Sequence, residues 1–218
     1  MSLHAFFLED GKRRVSEAVA SVERRTSAEV LVCVQRISGS YRHADYVGGA
    51  ILALALLCLF LYYPEPFDYT FFPLEQAAGF AFGAFVTATT PPLRKLLAGK
   101  SAVADAVHKA ARAAFVDRKV GRTRARNGVL VFVSTFELAV EVVADVGIDV
   151  DKLGEPWKDA LKKLDRAVRR EHDPAKFAAA IEELGTVLAR EFPGAADDLN
   201  ELVDHVATDD EAPEEETP

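Results

Sequence analysis

Two apolar segments in the middle of the chain dominate its pattern of hydrophobic and polar positions. The first, Val47–Tyr63, contains no charged residue, and the second runs from about Glu75 to Thr90. Seventeen residues at the helical rise lie at the lower end of what a bilayer requires, and a terminal tyrosine pair suits the membrane interface. The pattern therefore predicts a two-helix transmembrane hairpin over residues 46–98.

The second segment is the weaker of the two. Three threonines interrupt its apolar face near its end, and Pro91 and Pro92 then end or kink the helix. Two alternatives stay open: re-entrant or interfacial insertion of this segment, and burial of both segments as core helices of a soluble domain. A chain of 218 residues offers no second core to cover a helix that is apolar on all sides, which favours the membrane.

Charge placement predicts the orientation of this insertion. Arg36 and Arg42 precede the first segment, whereas Arg94, Lys95 and Lys100 follow the second. The connecting loop, residues 64–74, has no Lys or Arg. By the positive-inside rule, both soluble halves and both termini face the cytoplasm. The start MSLHAFFLEDGKRR places its apolar residues before the positive charges, which is not the pattern of a cleavable signal peptide.

The flanking segments alternate between helical and strand periodicity. A helix is expected over 12–25, another from an N-cap at Ser101 to about 119, and two more over 156–171 and 175–192. Runs rich in β-branched residues predict strands over 28–35, 128–134 and 138–145. A single strand forms no sheet, so strand 28–35 must pair with the strands that follow the apolar insertion.

The predicted fold class is α/β. It is a small layered domain, with helices on both faces of a short sheet, interrupted by the two-helix transmembrane hairpin. The expected divisions are the first part of the layered domain (1–45), the hairpin (46–98), the second part (99–206) and a disordered acidic tail (207–218).

Composition excludes one class of partner. The chain has 26 Lys and Arg against 34 Asp and Glu, and six of those acids lie in the last ten residues. The rest of the chain is therefore close to neutral, which is not the balance of a nucleic-acid-binding protein. Cys33 and Cys58 are the two cysteines, and they form neither a disulfide framework nor a metal-ligand spacing.

An acidic cluster follows the third predicted strand. Asp145, Asp149 and Asp151, with Gly147 allowing a turn, could present oxygens to Mg²⁺ or Ca²⁺, although the spacing matches no EF-hand loop. The alternative is an acidic loop ahead of a helix, where the N-terminal dipole favours carboxylates.

A basic loop precedes the second strand. Arg122, Arg124 and Arg126 could bind phosphate oxygens or anionic lipid headgroups. The chain has no GxSxG, Walker, HExxH or CxxC motif, and its five histidines show no pair at ligand spacing. No catalytic residue is assigned.

The chain also resembles a known family. Its FFLEDGKRRVSEAVASVERRTSAEV, SGSYR and GRTRARNGVLVFVSTFELAVEVVADVGID segments, with Trp157, Phe192-Pro193 and DDLNELVD at 197–204, are similar to uncharacterised bacterial membrane proteins with a TPM domain. The resemblance implies a location in the bacterial inner membrane. Some plant members of that family are reported as acid phosphatases, and others act as accessory or assembly factors. Ala28 departs from the family, where Gly is usual.

Two functions follow as hypotheses. The first is an accessory or interaction module of the inner membrane, with the lipid bilayer and other membrane proteins as partners and no nucleic acid. The second is a divalent-metal-dependent phosphatase, whose metal would be Mg²⁺ or Ca²⁺. The residues leave open whether the protein is an enzyme.

Overall fold

The chain divides into two compact units. A computed structural model describes residues 8–63, 69–194 and 206–208. The sheet unit comprises residues 1–38 and 107–218, and the α2–α3 unit comprises residues 39–106. Part of the predicted loop 64–74 and residues 209–218 of the predicted tail lie outside the described residues.

The sheet unit is built on four strands in the order β3-β2-β1-β4. Parallel pairing joins β1 (Glu29–Gln35) to β2 (Gly128–Ser134) over their whole length, with Glu29 opposite Gly128. Antiparallel pairing joins β2 to β3 (Ala139–Ala144). The two-residue β4 (Ala207–Thr208) lies parallel to β1, at the start of the segment predicted as a tail. The prediction that strand 28–35 pairs with later strands is confirmed.

Helices cover both faces of this sheet. On one face, α1 (Glu9–Glu23), α6 (Val150–Arg166) and α7 (Pro174–Glu191) pack over the odd-numbered valines of β2 and the even-numbered valines of β1. On the other face, Val107, Ala111 and Ala114 of α5 (Lys100–Asp117) pack over Leu130 and Phe132. Because apolar side chains of both faces are buried, β1 and β2 read as continuous apolar runs.

Local signals explain the helix ends in this unit. Asp173 caps α7 by accepting a hydrogen bond from the Ala175 N–H at 2.9 Å. Gly154 has a φ of +60° and kinks α6, which continues into a π-helical turn, Ala167–Glu171. The predicted N-cap at Ser101 is wrong, since α5 begins at Lys100 after Gly99, whose φ of +84° suits glycine.

The α2–α3 unit consists of helices. It contains α2 (Arg42–Tyr62), a 3₁₀ turn (Tyr69–Phe71), α3 (Phe72–Thr89), α4 (Pro91–Ala98) and the first part of α5. The two long helices approach through glycines: a Cβ on Gly83 would lie 2.8 Å from the Gly48 carbonyl oxygen. The two prolines end α3 and begin α4, as proline does at the first turn of a helix.

The predicted fold class is wrong in its central feature. In the part of the chain that the structure describes, the fold is mostly helical, with seven α-helices and a sheet of short strands. Among those helices, α2 alone is long and apolar enough to cross a membrane, so a two-helix transmembrane hairpin is not supported. The physical reason lies in α3, whose 18 residues span about 27 Å, which is short for a bilayer. The helix also carries the polar residues Glu75 and Gln76 in its first turns and threonines in its last turn.

Candidate functional site

Asp145 is a buried carboxylate that pairs with a half-exposed arginine, and it does not belong to an open acidic cluster. It follows the last residue of β3, and its side chain is 3% exposed, against 54% for its partner Arg126. Arg126 Nη2 donates to Asp145 Oδ1 at 3.0 Å, and the Val146 N–H donates to the same oxygen at 2.8 Å. Arg126 Nε lies 2.8 Å from Oδ2 without hydrogen-bond alignment. This carboxylate therefore holds the basic loop against the end of β3.

The rest of the basic loop is folded around buried polar residues. Thr123 is buried, and its Oγ1 accepts from the Asn127 N–H at 3.2 Å. The Asn127 side chain donates to the Ser27 carbonyl oxygen, and the Gly147 N–H donates to the Arg126 carbonyl oxygen at 2.8 Å. Arg122 and Arg124 are exposed. The loop therefore has a defined fold, held by these hydrogen bonds, and the side chains of Arg122 and Arg124 lie on its surface.

The three predicted metal ligands have different roles. Asp149 precedes α6, is half-exposed and forms an ion pair with Lys152 at 3.3 Å. Asp151 is exposed in the first turn of α6, where a carboxylate suits the helix dipole. Within the described ranges, no group of three His, Cys, Asp or Glu side chains is placed to hold one metal ion. The Mg²⁺ or Ca²⁺ site stays a prediction.

Two carboxylate contacts of the sheet unit were missed by sequence reasoning. Glu137 is buried, accepts from the Ser38 N–H at 2.9 Å and binds the Ser134 hydroxyl, closing the turn between β2 and β3. Ser134 and Glu137 have the Ser-x-x-Glu spacing that is typical of a helix N-terminus, so the spacing did not indicate a contact in a turn between two strands. Glu141 of β3 lies 2.9 Å from His108 Nδ1 of α5. These residues are far apart in sequence, so spacing alone could not pair them.

Exposed apolar side chains distinguish the α2–α3 unit. Large apolar side chains on both long helices are more than half exposed, among them Ile51, Leu54, Leu59, Leu61, Leu74, Phe82 and Phe85. In the most apolar 18-residue window of α2, only 11% is buried. Large exposed apolar patches on monomeric soluble proteins are uncommon and often mark interaction sites, so this unit is a candidate for one.

A buried ion pair lies at one end of the α2–α3 unit. Arg94 Nη2 of α4 donates to Asp45 Oδ2, in the first turn of α2, at 2.6 Å. The two side chains are 19% and 13% exposed, respectively. The pair joins α4 to the start of α2 and neutralises two charges next to the apolar surface.

Comparison with known proteins supports the fold. No protein-family model and no curated protein sequence matches the chain. The chain is similar to the NMR structure of the BA42 protein from the psychrophilic bacterium Bizionia argentinensis, with a TM-score of 0.55 and 16% identity. The match covers 92% of this chain and 94% of that one. At this identity, the similarity concerns the arrangement of the backbone.

Proposed function

We propose that this protein is an accessory or interaction module attached to a lipid bilayer through the α2–α3 unit. The observation that carries the proposal is the exposed apolar surface of that unit, above all that of the 21-residue helix α2, whose most apolar 18 residues have a mean hydropathy of 2.1. A core helix of a soluble protein can be equally apolar, but it is mostly buried. Here the apolar side chains of α2 face outward, where lipid would cover them.

Chain connectivity constrains how the unit enters a bilayer. β1 precedes it, β2 follows it, and the two strands pair along their whole length. Both ends of the α2–α3 unit must therefore lie on the same side of the membrane. Lys95 and Lys100 follow α3, Arg42 begins α2, and residues 64–74 carry acids without Lys or Arg. The cations that flank the unit favour the anionic cytoplasmic face of a membrane for the sheet unit, and the TPM-like resemblance favours the bacterial inner membrane.

The metal-dependent phosphatase stays the alternative hypothesis. It would need a group of ligands for the metal and cationic groups facing the transferred phosphoryl oxygens. The pairing of the buried Asp145 with Arg126 uses one member of each predicted set in a structural contact. The observations on the described residues therefore favour the interaction module.

Membrane attachment can be tested by fractionation and by flotation of the purified chain with phospholipid vesicles. Leu54 and Leu61 are 60% and 71% exposed, and Leu54→Lys with Leu61→Lys should move most of the protein from the membrane to the soluble fraction. A lysine near the bilayer centre costs about 2.5 to 3.5 kcal/mol. Val116→Lys, at a 72% exposed position of α5, is the matched control and should leave flotation unchanged. A wild-type chain that neither sediments with membranes nor floats would contradict the proposal.

A further inference from the structure

We propose that the outer edge of β3 pairs with the β3 edge of a second copy of this chain, which joins the two sheets into one. The strand order β3-β2-β1-β4 leaves β3 at one end of the sheet, with β2 on one side. All six of its residues are partly exposed, whereas all seven of the neighbouring strand are buried. This inference rests on the sheet unit and is independent of membrane attachment.

The hydrogen-bond pattern identifies the backbone groups at that edge. The Asp145 N–H donates to the Gly128 carbonyl oxygen at 2.9 Å, in line with the register that places Val129 opposite Ala144. In an antiparallel ladder, hydrogen-bonded and non-hydrogen-bonded residues alternate. The N–H and C=O groups of Val140, Val142 and Ala144 therefore point away from β2.

These outward groups are open within the described part of the chain. No described residue donates a hydrogen bond to them or accepts one from them. An edge strand with a row of such groups is a template for pairing with another strand. Three alternate residues supply three donors and three acceptors, which is the set that an added antiparallel strand requires.

The usual protections of an edge strand are missing from β3. Its sequence, AVEVVA, contains no proline and no lysine, and its register with β2 runs through six successive pairs without a bulge. Its one charged residue, Glu141, is in contact with His108 rather than directed as an isolated charge at an approaching strand. The edge is therefore suited to pairing.

The possible registers and the position of the charged residues favour pairing of β3 with β3 of a second copy. In the antiparallel arrangement that pairs all three outward-facing residues, Val142 lies opposite Val142 of the second copy, and Val140 lies opposite Ala144. Glu141 then lies opposite Val143, and Ala139 opposite Asp145, so no like charges face each other. Sliding one strand by two residues would place Glu141 opposite Glu141, which is destabilising. The same strand can therefore lie on both sides of a two-fold axis, in a register that pairs its outward backbone groups and opposes no like charges.

Cysteine crosslinking of the full chain tests the contact. With Cys33 and Cys58 replaced by alanine, Val142→Cys should form a disulfide-linked dimer on mild oxidation, because directly opposed residues have Cα atoms about 5.5 Å apart. Val116→Cys, an exposed position on α5, is the control and should stay monomeric. Absence of a Val142→Cys dimer, or equal crosslinking of both variants, would overturn the proposal.

A proline substitution provides the second arm. Val142→Pro removes an outward N–H that the pairing of β3 with β2 does not use, so the sheet of one copy keeps its hydrogen bonds. Light scattering on the purified wild-type chain should show a dimer, and the proline variant should associate about tenfold or more weakly, since two bonds across the two-fold axis are lost. A folded Val142→Pro variant that dimerises as strongly as wild type would refute the contact. If that variant does not fold, the crosslinking result decides.

Discussion

At the scale of single residues, the pair formed by Asp145 and Arg126 is the contact on which the basic loop depends. Asp145→Asn keeps the size of the side chain but removes the charge, while the neighbouring Val146 N–H and Arg126 guanidinium stay in place. Hydrogen bonds to charged groups contribute about 1.5 to 3 kcal/mol. We expect the free energy of unfolding of the sheet unit to fall by roughly that amount, measured by denaturant titration of Trp157 fluorescence.

The matched control for this prediction is Asp149→Asn. Asp149 is half-exposed, makes no cap hydrogen bond and pairs with the exposed Lys152, so its replacement should cost less than about 1 kcal/mol. Equal effects of the two substitutions would mean that burial of Asp145 is not what stabilises the loop. If either variant differed from wild type in its free energy of unfolding only when Mg²⁺ or Ca²⁺ is present, the result would instead favour the metal site.

Sequence reasoning identified the members of this pair without pairing them. Asp145 was assigned to a metal and Arg126 to phosphate or lipid, because local spacing shows which side chains share a loop. Their contact depends on the register of β2 with β3 and on the fold of residues 123–127. The sequence does not show either feature directly. The same limit applies to His108 and Glu141, which are 33 residues apart.

At the scale of elements, the glycines between α2 and α3 allow their backbones to touch. A Cβ on Gly83 would lie 2.8 Å from the Gly48 carbonyl oxygen and from Leu52 Cβ, which leaves no room for a larger residue. Gly83→Leu should therefore separate the helices and destabilise the α2–α3 unit by roughly 1 to 3 kcal/mol or more. Thermal unfolding of the lipid- or detergent-bound chain, followed by circular dichroism, measures the effect.

Ala81→Leu is the control for that substitution. Ala81 is exposed on α3, so the added side chain should lower the unfolding midpoint far less than Gly83→Leu does. Similar midpoints for both variants would show that the close glycine contact does not hold the helices together.

The sequence predicted which segments form helices and strands better than it predicted what surrounds each of them. The β-branched runs predicted β1 and β2 to within a residue, because strands covered on both faces have a distinctive apolar sequence. The same apolar character misled the interpretation of α3. Its glycines and Thr87 face α2, where small residues permit close packing, and this packing does not require that α3 cross a bilayer.

At the scale of the whole molecule, one topological prediction survives. The pairing of β1 with β2 across the insertion was expected because residues before the insertion offer a single strand, and the structure confirms it. Covering helices on both faces follow from the apolar runs of those strands. The predicted two-helix crossing of the membrane was wrong, since hydropathy alone does not establish that a weakly apolar segment spans.

Thiol accessibility of the native cysteines tests membrane attachment most directly. Cys58 is exposed on α2, whereas Cys33 is buried in β1. In intact membranes, a water-soluble maleimide should react with neither thiol, because lipid covers Cys58, and it should react with both after solubilisation in SDS. Cys58→Ala should leave one reactive thiol in SDS and change nothing in membranes. Rapid labelling of Cys58 before SDS is added would show that α2 faces water and would contradict the account.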